Sequence, residues 1–486
     1  VSASARFILW VLVFVLGAGL RFFDLSDAPL HADEAVAAKI TATRIEGGGY
    51  DFDASHYHGP SLSWAGARVA GFFGATSFRD LEIFPLRVVS AVSGALLILV
   101  PLLLLHWLGP TGALLGGLFL ATSPLLCFYS RIYIHEPLLV FFSALALVFL
   151  GFWLKTKRRI AAIGFGLALG LMAATKETFA ITAVSWLIGF CCVWRFVRVG
   201  KEGAIALVYL CAAFAGVLVA SYGNPLEFLS TYLVYTTDPA HSKPLGYYLD
   251  LLVVPKHRPP QWWSEAGIVL LAGVGVFYGW RRKNPFLCLL AISAALQCVV
   301  YSVISYKTPW LMMVPWMQVC LLAGVGAADM LAAPSRSKAI LVFSFLGIMV
   351  LFQLEQAYAA VFRYPNDARN PLVYSPTSRN VDSLSERLRV LFQKSPLFRE
   401  GQIAVLGSAY WPLPWYLRNT VPTGYYDVPP GDIQNFAVVI ATPATSPEIE
   451  PLLLTTHQAY YYGLRHEFPL MVFIRNDVRE EELVNP

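Results

Sequence analysis

The strongest constraint on this chain is the recurrence, from its start to about residue 354, of long apolar segments separated by short polar stretches. A helix crossing a bilayer core needs roughly 20 mostly apolar residues, and about eleven segments approach that length once the shorter runs that a bundle tolerates are included. They are Phe7–Phe23, Phe84–Trp107, Ala113–Tyr129, Pro137–Leu154, Ile160–Ala174, Phe179–Trp194, Ala204–Tyr222, Ala266–Trp280, Pro285–Ile304, Pro309–Leu331 and Ala339–Leu354. Composition agrees: 57% of the 486 residues are hydrophobic and 14% charged, against roughly 25% charged in soluble domains. The expected architecture is an all-α polytopic membrane bundle. Its Lys and Arg residues fall in short clusters between apolar runs rather than on one basic face, which argues for membrane topology and against nucleic acid as a partner. The cysteines, Cys127, Cys191, Cys192, Cys211, Cys288, Cys298 and Cys320, lie in or beside apolar runs without a CxxC pattern, and read as small buried hydrophobes. The first apolar segment runs into Arg21-Phe22-Phe23-Asp24 with no small-residue cleavage site, so it is expected to remain as a signal-anchor helix.

Basic residues near helix ends are retained on the cytoplasmic side. Lys155 to Arg159, Arg195 to Lys201, Arg281 to Lys283 and Arg336 to Lys338 all fall on one side if the helix count is right. That side is taken as cytoplasmic, with the N-terminus, in a cytoplasmic or inner membrane. The other side then receives the loop 24–83, the short turns 130–136, 175–178 and 305–308, the loop 223–265 and the tail. The expected domains are a transmembrane part, 1–356, with a large first external loop, 24–83, and an extracytoplasmic domain, 357–486. In the tail, polar residues and prolines rise and no spanning segment follows. Ile403–Leu406, Ala437–Ile440 and Leu470–Ile474 read as buried strands and Val381–Phe392 as an amphipathic helix, giving a small α/β domain.

Four external turns carry the candidate chemistry. Leu30-His31-Ala32-Asp33-Glu34 puts two carboxylates just after the first helix, suited to general-base work, although acidic residues are ordinary in an external loop. The same loop holds His56-Tyr57-His58-Gly59-Pro60. If the chain takes a divalent cation as cofactor, Asp33, Glu136, His56 and His58 are its candidate ligands, but their spacing matches no dedicated ligand motif. Arg131, His135 and Glu136 share a second turn, where Glu136 would sit in the first turn of a helix and meet the positive end of its dipole. Lys176-Glu177 form a charged step between two apolar runs, costly unless paired or functional. Lys307-Thr308-Pro309-Trp310 place an ammonium and an indole at the membrane surface, where snorkelling lysines and belt tryptophans are common. As a set, these groups suit a lipid-linked anionic substrate. A departing phosphate needs cations, and an attacking hydroxyl needs a carboxylate base.

These residues resemble the GT-C membrane glycosyltransferases, especially the protein O-mannosyltransferase and aminoarabinose transferase superfamily. His31-Ala-Asp33-Glu34-Ala after Arg21-Phe22 looks like that family's first-loop motif with its catalytic Asp. Ser130-Arg131 to Glu136 looks like the second acidic motif, in which Glu136 stands where Asp is usual. Lys176-Glu177 and Lys307-Thr-Pro309-Trp310 look like lipid-phosphate positions. Tyr57-His58-Gly59-Pro60 and the tail run Tyr410 to Arg418 are closer still to a branch described as predicted membrane-bound mannosyltransferases, or flippase-associated proteins.

The resemblance implies an integral membrane glycosyltransferase that moves a sugar, mannose or one like it, from a polyprenyl-phosphate donor to an acceptor hydroxyl on a glycan, lipid or protein. Asp33 would be the base. Glu34 and Glu136 would position the acceptor, the sugar or a cation, and Arg131, Lys176 and Lys307 would hold the phosphate. Tyr57, His58, Glu177 and Trp310 complete the substrate contacts, and membrane lipids and further subunits of a membrane complex are the other expected partners. A lipid-linked sugar flippase and a catalytically silent scaffold subunit are the rival readings.

Overall fold

In the computed structural model, the residues described are 3–48, 58–197, 200–222, 224, 226, 228–229, 241–332, 335–465 and 468–479. The chain forms two compact units. The first comprises Val1–Leu25, Gly48–Val69 and Phe84–Tyr374, and the second Ser26–Gly47, Ala70–Ile83 and Ser375–Pro486.

The first unit is the helical bundle. Each of the eleven apolar segments falls on helix, as a chain in lipid must, because only internal hydrogen bonding satisfies its backbone there. Among the described residues seven helices are long and apolar enough to cross a membrane: Ser4–Phe22, Glu136–Thr156, Phe179–Phe196, Lys201–Tyr222, Pro285–Val303, Pro309–Leu331 and Ala339–Arg363. Four more, Ile83–Leu97, Pro110–Thr122, Arg159–Ala173 and Ala266–Arg281, are apolar but shorter. Two expected runs are broken by proline, which lacks the N–H and clashes with the preceding turn. Phe84–Trp107 divides into Ile83–Leu97, Val100–Leu103 and Leu105–Leu108 around Pro101, and Ala113–Tyr129 into Pro110–Thr122 and Pro124–Tyr129 at Ser123-Pro124.

Close backbone approach fixes the helix Met313–Leu331 in place. A Cβ on Gly324 would meet Gly112 O and Gly116 N at 2.4 Å, and one on Gly326 would meet Leu271 O at 1.9 Å. Glycine here lets three helices touch along their backbones, the small-residue packing that holds helices together where apolar burial gives no drive. A two-stranded hairpin, β1 (Lys256–Arg258) and β2 (Gln261–Trp263), precedes the helix Ala266–Arg281.

The second unit is α/β. Its sheet contains β3 (Ile403–Leu406), β4 (Thr423–Tyr426), β5 (Val438–Ala441), β6 (His457–Arg465) and β7 (Phe468–Arg475). The order is β4-β3-β5-β7-β6, with β3 parallel to β4 and β5, and β7 antiparallel to β5 and β6. β3 and β5 are buried throughout, as central strands covered on both faces must be. The amphipathic helix Asn380–Lys394 buries Val381, Leu384, Leu388 and Leu391.

Two stretches of the first loop belong to this unit. The Thr377 hydroxyl donates to Leu30 O at 2.8 Å, Arg379 pairs with Asp27 at 2.7 Å, and Leu30 N donates to the Tyr416 hydroxyl at 3.0 Å. The Arg418 guanidinium donates to Leu81 O at 3.0 Å and lies 3.7 Å over the Trp415 ring, which meets Phe78 edge-on. The aromatic run of the tail is thus the clasp for these stretches, with Trp415 and Tyr416 both buried.

Candidate functional site

The loop Ala174 to Thr178 joins the helices Arg159–Ala173 and Phe179–Val193 and gathers groups from two other places in the first unit. The Lys176 ammonium donates to Glu136 Oε1 at 2.5 Å, and both side chains are almost wholly buried. Glu136 opens the helix Glu136–Thr156, where its carboxylate also meets the helix dipole. Glu177, the neighbour in sequence, turns to His58 instead: Nδ1 and Oε2 are 2.9 Å apart. The rings of His58 and His135 meet edge-on with centroids 4.8 Å apart. Sequence adjacency suggests Lys176 and Glu177 as mutual partners, but the fold gives each a partner from a distant segment.

The segment that carries His58 is fastened by its backbone. Gly59 N donates to Thr175 O at 3.1 Å and Ser61 N to Ala174 O at 3.0 Å, while the Ser61 and Thr175 hydroxyls meet at 2.7 Å. A Cβ on Gly59 would lie 2.2 Å from Ala174 O, so this approach admits no side chain.

The electrostatics follow from this enclosure. Burial alone would strip the proton from Lys176, but Glu136 and Glu177 outweigh it and hold the ammonium protonated well above the ordinary lysine range. Burial alone would likewise push the Glu177 carboxyl up, but His58 and Lys176 overcome it and bring it down to about 2. His135 goes the other way: burial, then His58 and Lys176, lower it well below the usual imidazole value. At neutral pH the network therefore holds one ammonium, an ionised Glu177 and a neutral His135.

The other candidates of the first unit stand differently. The Lys307 ammonium is buried and donates to Lys243 O at 3.0 Å and to Ile304 O, while its backbone N donates to His241 O at 3.1 Å. Tyr306, its neighbour, acts electrostatically on Lys176. Arg131 donates to Phe23 O and Asp24 O, each at 2.7 Å, and to Leu20 O and Arg21 O at 3.2 Å, so it closes the C-terminal end of the first helix. Trp310 is buried between Tyr129 and Tyr374, edge-on to both. Tyr57 and His56 lie outside the described residues. Among the described residues no group of three or more His, Cys, Asp or Glu stands together to hold a metal ion.

The acidic pair sits in the second unit, at the start of the helix Ala32–Ile45. His31 is its N-cap: Nδ1 accepts from Asp33 N at 3.1 Å, while His31 N donates to Glu34 Oε2 at 2.9 Å. This reciprocal box commits the Glu34 carboxylate, which is buried, to holding the helix start. The Asp33 side chain is 54% exposed and 4.0 Å from His31 Nδ1. Of two adjacent carboxylates, one is structural and the other faces solvent.

Residues 58–236, which hold the Glu136–Lys176 and His58–Glu177 pairs, match the dolichyl-phosphate-mannose-protein mannosyltransferase family. No curated protein matches the chain in sequence. In structure the chain is similar to ArnT from Cupriavidus metallidurans in the apo state, with TM-score 0.64 and 16% identity over 98% of this chain and 99% of that one. The same protein bound to undecaprenyl phosphate gives TM-score 0.62 and 17% identity over 98% and 99%. The archaeal oligosaccharyltransferase AglB from Archaeoglobus fulgidus, in complex with an inhibitory peptide and a dolichol-phosphate, gives TM-score 0.57 and 12% identity over 94% of this chain and 72% of that one. The chain has the GT-C fold.

Arg21 and Glu265 are buried ionisable residues of the bundle outside the candidate set. Arg21 donates to Gly17 O and Leu120 O at 2.9 Å and to Ala121 O at 3.3 Å, tying the first helix to Pro110–Thr122. Glu265 accepts from the Ser123 hydroxyl at 2.7 Å, the Trp316 indole at 2.8 Å and Leu125 N at 3.4 Å. It thereby closes the break that Pro124 makes. Its sequence cue is a lone carboxylate at the head of an apolar helix, a placement that demands partners.

Proposed function

We propose that this protein is an integral membrane glycosyltransferase that moves a sugar from a polyprenyl-phosphate donor to an acceptor hydroxyl. The observation that carries the reading is Lys176: a buried lysine paired with Glu136, which favours its protonated form, in a loop between two membrane helices. The GT-C fold and the undecaprenyl phosphate and dolichol-phosphate held by structurally similar proteins support the same substrate class.

Chemically, the bond from sugar carbon to phosphate oxygen breaks as the acceptor oxygen attacks. The phosphate leaves with the bond's electron pair and needs positive charge, which Lys176 supplies, with Lys307 as the second cation. A carboxylate takes the acceptor's proton. Asp33 has that role by its resemblance to the family's first-loop motif and by its exposure, while Glu34 keeps the helix start in shape. Glu136 fixes the ammonium, and His58, held by Glu177, contacts the sugar. Arg131 supports the end of the first helix. The spread of the basic clusters supports a cytoplasmic N-terminus, with the loops that carry Lys176 and Lys307 on the opposite face.

The test is to reconstitute the purified chain in liposomes with extracted membrane acceptors and a panel of polyprenyl-phosphate sugars. Consumption of one donor with release of free polyprenyl phosphate is expected. Full recovery of every intact donor would overturn the proposal.

A further inference from the structure

The helices that lead to Lys176 and Glu136 also flank an open cavity of about 560 Å³, running from Leu169 and Ala183 to Trp153 and Trp194, that the proposed reaction does not use. Its walls include Trp153, Phe165, Trp186, Phe190, Leu207 and Leu210, from four successive helices of the first unit. Along the helix Glu136–Thr156, Trp153 is 17 residues from Glu136, roughly 25 Å at the rise of an α-helix. The Trp153 end of the cavity is therefore far from Glu136.

Three donors in or beside it lack acceptors among the described residues: the buried indole N–H groups of Trp153 and Trp186, which line the cavity, and the ammonium of Lys157, which stands next to Trp153. Buried indole N–H groups ordinarily find one. Lys157 lies 4.2 Å over the ring of Trp153, and its backbone is left-handed, φ 54°, a conformation that favours glycine. Exposed Lys155, Arg158, Arg159 and Lys201 surround this end of the helices. The acid that acts on Lys157 is Glu202, and Arg159 reaches the Tyr209 hydroxyl at 3.4 Å.

An almost wholly apolar slot of ligand-binding size, unmet N–H donors and a rim of cations together call for a molecule with a long apolar tail and an anionic, oxygen-rich head. We infer that this cavity is a binding site for an anionic phospholipid, with an acyl chain between the tryptophans and the headgroup phosphate at Lys157. The charge complementarity selects the head, and the slot accommodates part of an acyl chain rather than a whole polyprenyl tail.

The test uses the full chain in detergent, supplied with equal amounts of phosphatidylglycerol, phosphatidylcholine and undecaprenyl phosphate and read by native mass spectrometry. Phosphatidylglycerol should be retained about tenfold over phosphatidylcholine, and Lys157→Gln or Trp186→Phe should each lower its retention several-fold, as loss of one such contact implies. Equal retention of the two phospholipids overturns the proposal. So does retention of phosphatidylglycerol that neither substitution changes. Preferred retention of undecaprenyl phosphate, lost in the same variants, assigns the cavity to a different lipid and also overturns it. If a variant does not fold, the selectivity of the wild-type chain decides.

Discussion

The ion network of the first unit and the acidic helix start of the second treat charge in opposite ways. Around the loop 174–178, Lys176 and Glu136 are buried and Glu177 is nearly so, and each has a partner within 3 Å. At His31–Glu34 the two carboxylates divide the work: Glu34 is enclosed in a capping box and Asp33 is left exposed. A buried pair is fixed in position and protonation state, which suits the recognition of a constant charge such as a phosphate. An exposed carboxylate at a helix start is open to an incoming hydroxyl, which suits a base. The contrast separates residues whose loss should cost the fold from one whose loss should cost only the reaction.

The largest expected effect tests the exposed side. Asp33→Asn should lower sugar transfer about 10²- to 10⁴-fold, the usual worth of general-base catalysis, while the melting temperature of the purified chain stays put. A fall in both would place Asp33 with the structural carboxylates. Next comes the buried side. Lys176→Met leaves Glu136 unpaired and should cost about 3–5 kcal/mol in thermal unfolding, whereas Glu136→Leu with Lys176→Met should recover most of that stability. Polyprenyl-phosphate binding should be lost in the single and the double variant alike. Recovery of binding with stability would make the pair purely structural.

Acid should loosen the network through Glu177. Its folded value of about 2 lies below the ordinary 4.5, so the stabilisation is complete above pH 4.5 and disappears as pH falls toward 2. Between pH 6 and pH 3 about 2 kcal/mol should be lost, seen by hydrogen exchange as reduced protection of residues 58–61. Unchanged protection at pH 3 would separate Glu177 from the anchoring of that segment. The smallest effect tests the cap: Glu34→Ala should cost about 1 kcal/mol and Glu34→Gln only a few tenths, because Gln still completes the box. Equal losses of activity in Glu34→Gln and Asp33→Asn, at unchanged stability, would erase the distinction between the two carboxylates.

The bundle was legible because apolarity over a span is a direct statement about solvent. Phe7–Phe23 and Pro285–Ile304 could be read as helices from composition, and only the breaks at Pro101 and Ser123-Pro124 needed closer attention to proline. In the second unit, β3, β5 and β7 announce themselves as β-branched apolar runs. β4 and β6 do not: Thr423-Gly-Tyr-Tyr426 and His457-Gln-Ala-Tyr-Tyr-Tyr462 are half-exposed edge strands, whose identity comes from their neighbours. The union of Ser26–Gly47 with the tail rests on contacts such as Leu30 with Tyr416, which local pattern does not encode.

The candidate groups were legible by type but not by pairing. Charges in short turns between apolar helices stand out in any such sequence, and Glu136, Lys176 and Glu177 were visible for that reason. That Lys176 binds Glu136 and Glu177 binds His58 depends on how the helices pack. The structural use of Arg131 depends on where the first helix ends. His135 gains its place beside His58 only when the Gly59 backbone docks on Ala174 and Thr175.

The most direct test of glycosyl transfer is to follow a labelled sugar and its lipid carrier together, with purified wild-type protein and Asp33→Asn in parallel. The account predicts that the wild type moves the sugar to an acceptor and frees one polyprenyl phosphate for each sugar transferred, and that Asp33→Asn binds the donor but leaves it intact. Equal turnover by the two proteins, or movement of the intact donor across the bilayer without transfer, would contradict it.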